Sequence, residues 1–98
     1  MPIKGVTKDE EKIIFSILEP YKNKYEFYFY GSRVKGNFRP LSDLDILIKG
    51  SVETNDIEAI KDAFDISNLS YIVNFADFNN IDKTFYQHIK KDLIKLDI

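Results

Sequence analysis

The spacing of apolar residues predicts three long helices in this chain. The first starts at Thr7, because Thr7 and Glu10 have the pattern of a capping box and apolar residues follow at helical spacing. Pro20 is expected to end or bend this helix. The same spacing predicts a second helix over Asn55–Ile66 and a last helix over Ile81–Leu96.

Three runs of aromatic and apolar residues predict strands. Tyr25–Tyr30 is dense in aromatic side chains, which favour strands, and Gly31-Ser32 ends it. Asp43–Lys49 is the second strand, and its apolar second half indicates burial on both faces and a central place in a sheet. Tyr71–Phe78 is the third. Strands that alternate with helices predict a mixed α/β layered structure, with one domain over residues 1–98.

Composition and charge narrow the class of protein. The chain has 98 residues, 44% hydrophobic and 31% charged, which is ordinary for a globular domain. A net charge of -2 argues against a protein that coats nucleic acid, and the absence of cysteine excludes a thiolate metal site. We find no signal-peptide pattern and no run of about 20 apolar residues, so a cytoplasmic protein without membrane contact is expected.

Two short motifs carry the candidate chemistry. Gly31-Ser32 follows a predicted strand, where a glycine lets the backbone approach a ligand and free N–H groups of a following helix attract phosphate. Asp43 and Asp45 are two residues apart on a strand, so their carboxylates share one face. Such a pair of carboxylates suits Mg²⁺. Two Mg²⁺ ions would stabilise both the entering and the leaving oxygen of a phosphoryl-type transfer. Taken singly, each motif is also compatible with an ordinary turn or a solvated strand start.

The two motifs together resemble a known family. The segments Gly31-Ser32-Arg33, Gly36 and Ser42-Asp43-Leu44-Asp45 are similar to the motif of the DNA polymerase beta-like nucleotidyltransferase superfamily, and most of all to its minimal nucleotidyltransferase (MNT) members. The resemblance implies an α+β nucleotidyltransferase fold with a small mixed sheet of three to four strands flanked by helices. It also implies Mg²⁺-dependent transfer of AMP from ATP to a hydroxyl.

The resemblance assigns roles to individual residues and suggests a partner. Gly31, Ser32 and Arg33 would bind the nucleotide, with Arg33 offsetting phosphate charge, and Asp43 and Asp45 would be the catalytic metal ligands. The expected partner is a small helical protein of the HEPN type or of the substrate-binding type, and the expected assembly is a homodimer or a heterotetramer. In toxin–antitoxin pairs the MNT protein is the antitoxin and adenylylates a tyrosine of its HEPN partner.

The third predicted strand departs from the family pattern. The superfamily carries a third carboxylate there, and the corresponding position is Asn74, which is uncharged and cannot act as a base. We expect Asn74 to face the catalytic pocket. Asp77 has the opposite parity on the strand, so it would reach the pocket only through a bulge or a frayed strand end, and a turn or capping role is the other interpretation.

Position 74 leaves two hypotheses for the function. In the first, the chain is an Mg²⁺-dependent adenylyltransferase that modifies a HEPN-type partner. In the second, it is a degenerate MNT-like binding module that keeps the pocket but neutralises its partner by complex formation.

Overall fold

Four strands form one mixed sheet in the computed structural model, which describes residues 5–36, 39 and 41–98. They are β1 (Glu26–Tyr30), β2 (Leu44–Lys49), β3 (Val73–Asp77) and β4 (Ile94–Lys95), in the spatial order β3-β2-β1-β4. β1 is antiparallel to β2 and to β4, whereas β2 and β3 are parallel. β2 therefore has a neighbour on each side, which confirms its predicted central place.

Helices flank this sheet, so the predicted α+β class is confirmed. The helices are α1 (Lys8–Leu18), α2 (Ser32–Lys35), α3 (Thr54–Asp65) and α4 (Lys83–Ile89), with 3-10 turns at Glu19–Tyr21 and Lys90–Asp92. The parallel pair is joined through α3, as parallel strands need a crossover connection. Within the described part of the chain, no helix combines the length and apolar character needed to span a membrane.

The predicted start and end of α1 are both confirmed. The Thr7 hydroxyl accepts a hydrogen bond from the Glu10 backbone N–H at 3.1 Å, and the Glu10 carboxylate accepts one from the Thr7 N–H at 3.0 Å. This capping box satisfies two backbone donors that a helix start leaves free. The α-helix ends at Leu18, and the chain continues into the 3-10 turn that contains Pro20.

One face of the sheet carries the hydrophobic core. The alternate residues of β1 and β2 that point to this face have almost no exposed surface: Phe27, Phe29, Leu44, Ile46 and Ile48. They pack with the buried apolar side chains of the two long helices α1 and α3: Ile14, Leu18, Ile60 and Phe64. Burying each large apolar side chain stabilises the fold by about 1.5–3 kcal/mol, so this layer fixes the sheet against α1 and α3.

The opposite face of the sheet is partly covered by α4. It presents the other alternate residues of the three long strands, among them Tyr28, Tyr30, Asp45, Leu47 and Asn74. α4 reaches this side of the molecule through two edge-to-face ring pairs, Tyr30–Phe85 at 5.9 Å and Phe78–Tyr86 at 5.3 Å. The polar residues of the predicted site therefore lie on the face away from the core.

The predicted last helix over Ile81–Leu96 is wrong in its second half. α4 ends at Ile89, and after the 3-10 turn the chain forms β4, which pairs with β1. The backbone N–H of Leu96 donates to the carbonyl of Phe27 at 2.9 Å, and its side chain is buried. The edge of β1 would otherwise present unpaired backbone groups, and this tertiary pairing outweighs the helical spacing of the segment.

Removing the capping hydroxyl should destabilise the protein measurably. We expect Thr7→Ala to lower the free energy of unfolding by about 1 kcal/mol, because the Glu10 N–H loses its acceptor. Urea denaturation followed by circular dichroism measures this. Thr54→Ala is the matched control, because Thr54 is the first residue of α3 but not its N-cap residue. Equal losses in the two variants would contradict the capping role of Thr7.

Candidate active site

Two carboxylates lie together at the start of β2, as predicted. Asp43 directly precedes the strand and is exposed, whereas Asp45 lies within it and is partly buried. The side-chain amide nitrogen of Asn74 donates to Oδ2 of Asp43 at 2.9 Å and to Oδ1 of Asp45 at 3.4 Å. One donor thus reaches both acids, so the two carboxylates point into the same small volume.

Asn74 faces this volume, which confirms its predicted orientation. It occupies the position on β3 directly opposite Asp45 on the parallel neighbour β2, so both side chains leave the same face of the sheet. Its N–H group stands between two negative charges, where a cation would be favoured. The amide can offer a carbonyl oxygen as well as an N–H, but it carries no charge and accepts no proton as a base.

Asp77 does not join the site. It ends β3 at the register position of Ile48, three residues beyond Asn74 and of opposite parity. Its carboxylate accepts hydrogen bonds from the backbone N–H of Asn79 at 2.9 Å and from the side chain of Asn80 at 3.3 Å. Asp77 is therefore a turn residue, as one of its two interpretations predicted, and it does not supply a third carboxylate because β3 stays regular.

The backbone turn at Gly31 touches the acidic pair. Gly31 follows β1 with φ +87°, a left-handed value that favours glycine, and precedes the exposed Ser32 at the start of α2. A Cβ atom at position 31 would overlap Oδ2 of Asp45. The predicted phosphate turn and the predicted metal ligand are thus in direct contact, although the role of Gly31-Ser32 in nucleotide binding stays a prediction.

Arg33 is buried, whereas its predicted role in nucleotide binding requires a guanidinium that faces the ligand. Its side chain is only 3% exposed, and the guanidinium donates to the backbone carbonyls of Ser42 at 2.9 Å and Gly5 at 2.7 Å. The same group lies over the ring of Tyr71, 3.7 Å from the ring centroid. The guanidinium is thus directed at backbone carbonyls, which does not support the predicted role of Arg33 in offsetting phosphate charge.

Burial and charge shift the acidity of two groups in the site. The pKa of Asp45 is raised, first because burial disfavours the charged form and also because the Asp43 carboxylate is close, while the hydrogen bond from Asn74 acts the other way. Burial, followed by the charge of Asp45, raises the pKa of Tyr30 to about 12. The Tyr30 phenol therefore stays protonated at neutral pH beside a carboxylate that lacks full solvation.

Tyr30 is a residue of the site that the sequence analysis missed. It lies directly opposite Asp45 in the antiparallel pair of β1 and β2, and its ring packs edge-to-face on Phe85 of α4. In the sequence it reads as one more aromatic residue of a buried strand. Only the register of β1 against β2 shows that Tyr30 lies beside Asp45. The sequence of the segment that connects the two strands does not predict that register.

The oxygen atoms of the site are suitable ligands for one hard divalent cation. A cation in the place of the Asn74 N–H would lie within reach of oxygens from both Asp43 and Asp45, and the partly desolvated Asp45 charge favours such a partner. Turning the amide of Asn74 by half a rotation would present its carbonyl oxygen as a neutral third ligand. Among the residues that the structure describes, no three His, Cys, Asp or Glu side chains are grouped for a metal.

Comparisons with known proteins agree with this geometry. A family model described as a nucleotidyltransferase domain matches residues 10–96, which include both motifs and all four strands. The chain is also 34% identical, over 89 residues, to a protein of Haemophilus influenzae named as a probable protein adenylyltransferase MntA. This alignment covers 88% of the chain and 77% of that relative.

The raised pKa of Asp45 predicts a pH-dependent gain in stability for Asp45→Asn. A raised pKa in the folded state means that the ionised form destabilises the fold, so stability is lost as the pH rises from the ordinary Asp value, about 4, through the folded pKa. Without added metal, Asp45→Asn should therefore have a higher Tm than the wild type at pH 7 and no such gain at pH 3.

The thermal unfolding of the two proteins across this pH range measures the effect. The exposed Asp62 of α3 supplies the control Asp62→Asn, which removes one negative charge outside the site. A gain at pH 7 that is equal in both variants would contradict the burial argument and would indicate only a change in net charge.

Proposed function

Since this chain belongs to the nucleotidyltransferase domain family and is a minimal nucleotidyltransferase, we propose that it transfers AMP from ATP to a hydroxyl of a partner protein. The observation that carries the proposal is the contact between the Gly31 turn and Asp45, with Asp43 beside it. This contact supports binding of a triphosphate and of its cation at one point. A protein acceptor is supported by the name of the relative from Haemophilus influenzae, a probable protein adenylyltransferase.

The turn at Gly31, the two acids and Asn74 each have a proposed part in the reaction. The backbone at Gly31 and the hydroxyl of Ser32 would hold the triphosphate, and Asp43 and Asp45 would hold Mg²⁺. After a half rotation of its amide, which now donates to both acids, Asn74 would add a neutral carbonyl ligand. Mg²⁺ held there would neutralise charge on the triphosphate and on the departing pyrophosphate. The acceptor oxygen forms a bond to the α-phosphorus while the bond from that phosphorus to the β-phosphate oxygen breaks, and the acceptor proton is released.

The replacement of the third acid favours a phenolic acceptor. Asn74 cannot take the proton of the attacking hydroxyl, so the acceptor has to lose it with little help from this position. A tyrosine, with an ordinary pKa of about 10, gives up its proton far more readily than an aliphatic alcohol does. We therefore propose a tyrosine of a HEPN-type helical protein as the acceptor, with the chain acting as the antitoxin of the pair.

Asn74 is also the observation that favours the second candidate function. Its side-chain N–H donates hydrogen bonds to both carboxylates, so each acid has a hydrogen-bond partner without a metal. In this alternative the chain is a binding module that neutralises its HEPN-type partner through complex formation alone, in a heterotetramer or as a homodimer beside it.

Label transfer distinguishes the two proposals. The full chain is incubated with α-labelled ATP, Mg²⁺ and a HEPN-type protein, and the acceptor is examined by gel and mass spectrometry. The enzyme is supported by an AMP adduct on tyrosine that both Asp43→Asn and Asp45→Asn abolish. Stable complex formation without any adduct would reject the enzyme and support the binding module.

Restoring the third acid should accelerate the transfer. We expect Asn74→Asp to raise the rate of label transfer by about 100-fold, because the new carboxylate adds a base and a charged metal ligand beside Asp43 and Asp45. The exposed Asn79 gives the control Asn79→Asp, which adds the same charge in the turn after β3. If neither variant changes a measurable wild-type rate, position 74 is not the place of the missing base.

A further inference from the structure

We infer that Arg33 is a positioning residue that fixes the backbone in front of Asp43, and so sets the geometry of the two carboxylates. The inference rests on the proposed function only where it concerns cation binding. The placement of Asp43 and Asn74 by Arg33 is a property of the protein chain itself and has its own measurement.

The burial of Arg33 shows that its contacts are specific. Arg33 as a residue is only 3% exposed, and a buried guanidinium destabilises a fold unless its N–H groups find partners. Nε donates to the Ser42 carbonyl at 2.9 Å, Nη1 to the Gly5 carbonyl at 2.7 Å, and Nη2 to the Arg39 carbonyl at the long distance of 3.4 Å. The planar fork of arginine serves several separate acceptors at once, which the single ammonium of lysine does less well.

Two of these acceptors, the carbonyls of Arg39 and Ser42, lie shortly before Asp43 in the chain. These two residues are also joined to each other, since the Ser42 N–H donates to the Arg39 carbonyl at 2.9 Å and the Arg39 N–H donates to the Ser42 hydroxyl at 2.8 Å. Arg33 donates to both of their carbonyls. The peptide that joins Ser42 to Asp43 is thus held by a charged, buried donor.

Arg33 also contacts the segment that leads into the strand of Asn74. The guanidinium carbon lies 3.7 Å from the ring centroid of the buried Tyr71, close to the start of β3. The next residue, Ile72, accepts a hydrogen bond from the backbone N–H of Leu44 at 2.9 Å. One side chain therefore contacts the chain just before each of the two strands that meet at the site.

Gly5 contacts Arg33, although it lies far from Asp43 in the sequence. Its φ of +77° is in the left-handed region, and a Cβ atom there would overlap the backbone oxygen and the Cγ atom of Arg33. Gly5 is not among the residues proposed to contact nucleotide or metal. A methyl group at position 5 should nevertheless disturb the carboxylates, because it displaces Arg33.

The first measurement needs no metal. In two-dimensional NMR spectra of the full chain, the side-chain amide of Asn74 reports its hydrogen bonds to Asp43 and Asp45. We expect Arg33→Lys and Gly5→Ala both to shift this resonance. The control is Gly50→Ala, which strains another positive-φ glycine (φ +140°) packed against Lys24 and Tyr25. It should lower stability but leave the Asn74 resonance in place.

The second measurement is the affinity of the site for Mn²⁺, determined by electron paramagnetic resonance below the lowest Tm of the set. Residues that orient metal ligands typically contribute 10–100-fold to metal affinity. We expect Arg33→Lys and Gly5→Ala to weaken Mn²⁺ binding by about tenfold or more, and Gly50→Ala to leave it unchanged.

The outcomes separate this inference from the proposed function. If Arg33→Lys and Gly5→Ala lose stability but keep the wild-type Asn74 resonance, Arg33 is a folding residue only and the inference is wrong. If the wild type binds no Mn²⁺ while the resonance shifts as expected, the positioning role stands and the metal-dependent function fails. Should Arg33→Lys not fold, the same readings are taken from Gly5→Ala.

Discussion

The register between three neighbouring strands is the constraint on which the site depends. Tyr30, Asp45 and Asn74 occupy paired positions on β1, β2 and β3, so their side chains form a row across one face of the sheet. A slip of one residue would turn Asp45 into the core and bring apolar side chains to the surface. Because Phe29 and Ile46 on the core face are fully buried, the hydrophobic layer that stabilises the fold also fixes where the carboxylates lie.

Two contacts from residues outside the sheet complete the site. The left-handed turn at Gly31 brings the chain so close to Asp45 that a Cβ atom at position 31 would overlap its carboxylate. On the other side, Arg33 binds the carbonyl that precedes Asp43. The predicted nucleotide-binding segment thus divides into a part that faces the ligand space and a part that faces inward, although Gly31, Ser32 and Arg33 are consecutive.

The chemistry proposed for the site depends on the amide at position 74, where the family resemblance leads us to expect an acid. A third carboxylate would add repulsion to a pair in which Asp45 already has a raised pKa. Asn74 instead donates to both acids and adds no further negative charge to the cluster. The same contact supports a weaker cation site in an adenylyltransferase and a satisfied polar cluster in a binding module, which is why the two proposals share one pocket and differ in the fate of ATP.

Local sequence pattern determined much of this protein. The capping box at Thr7, the three long strands, and the shared face of Asp43 and Asp45 follow from spacing within one helix or strand, whereas the direction of Asn74 toward the two acids was expected from the family resemblance. Only the tertiary structure decided that residues 94–95 form a strand, because so short a segment becomes one through its partner β1. It likewise decided the role of Arg33, since its acceptors Gly5 and Ser42 are 28 and 9 residues away in the chain, and no local period links residues that meet only when the chain folds.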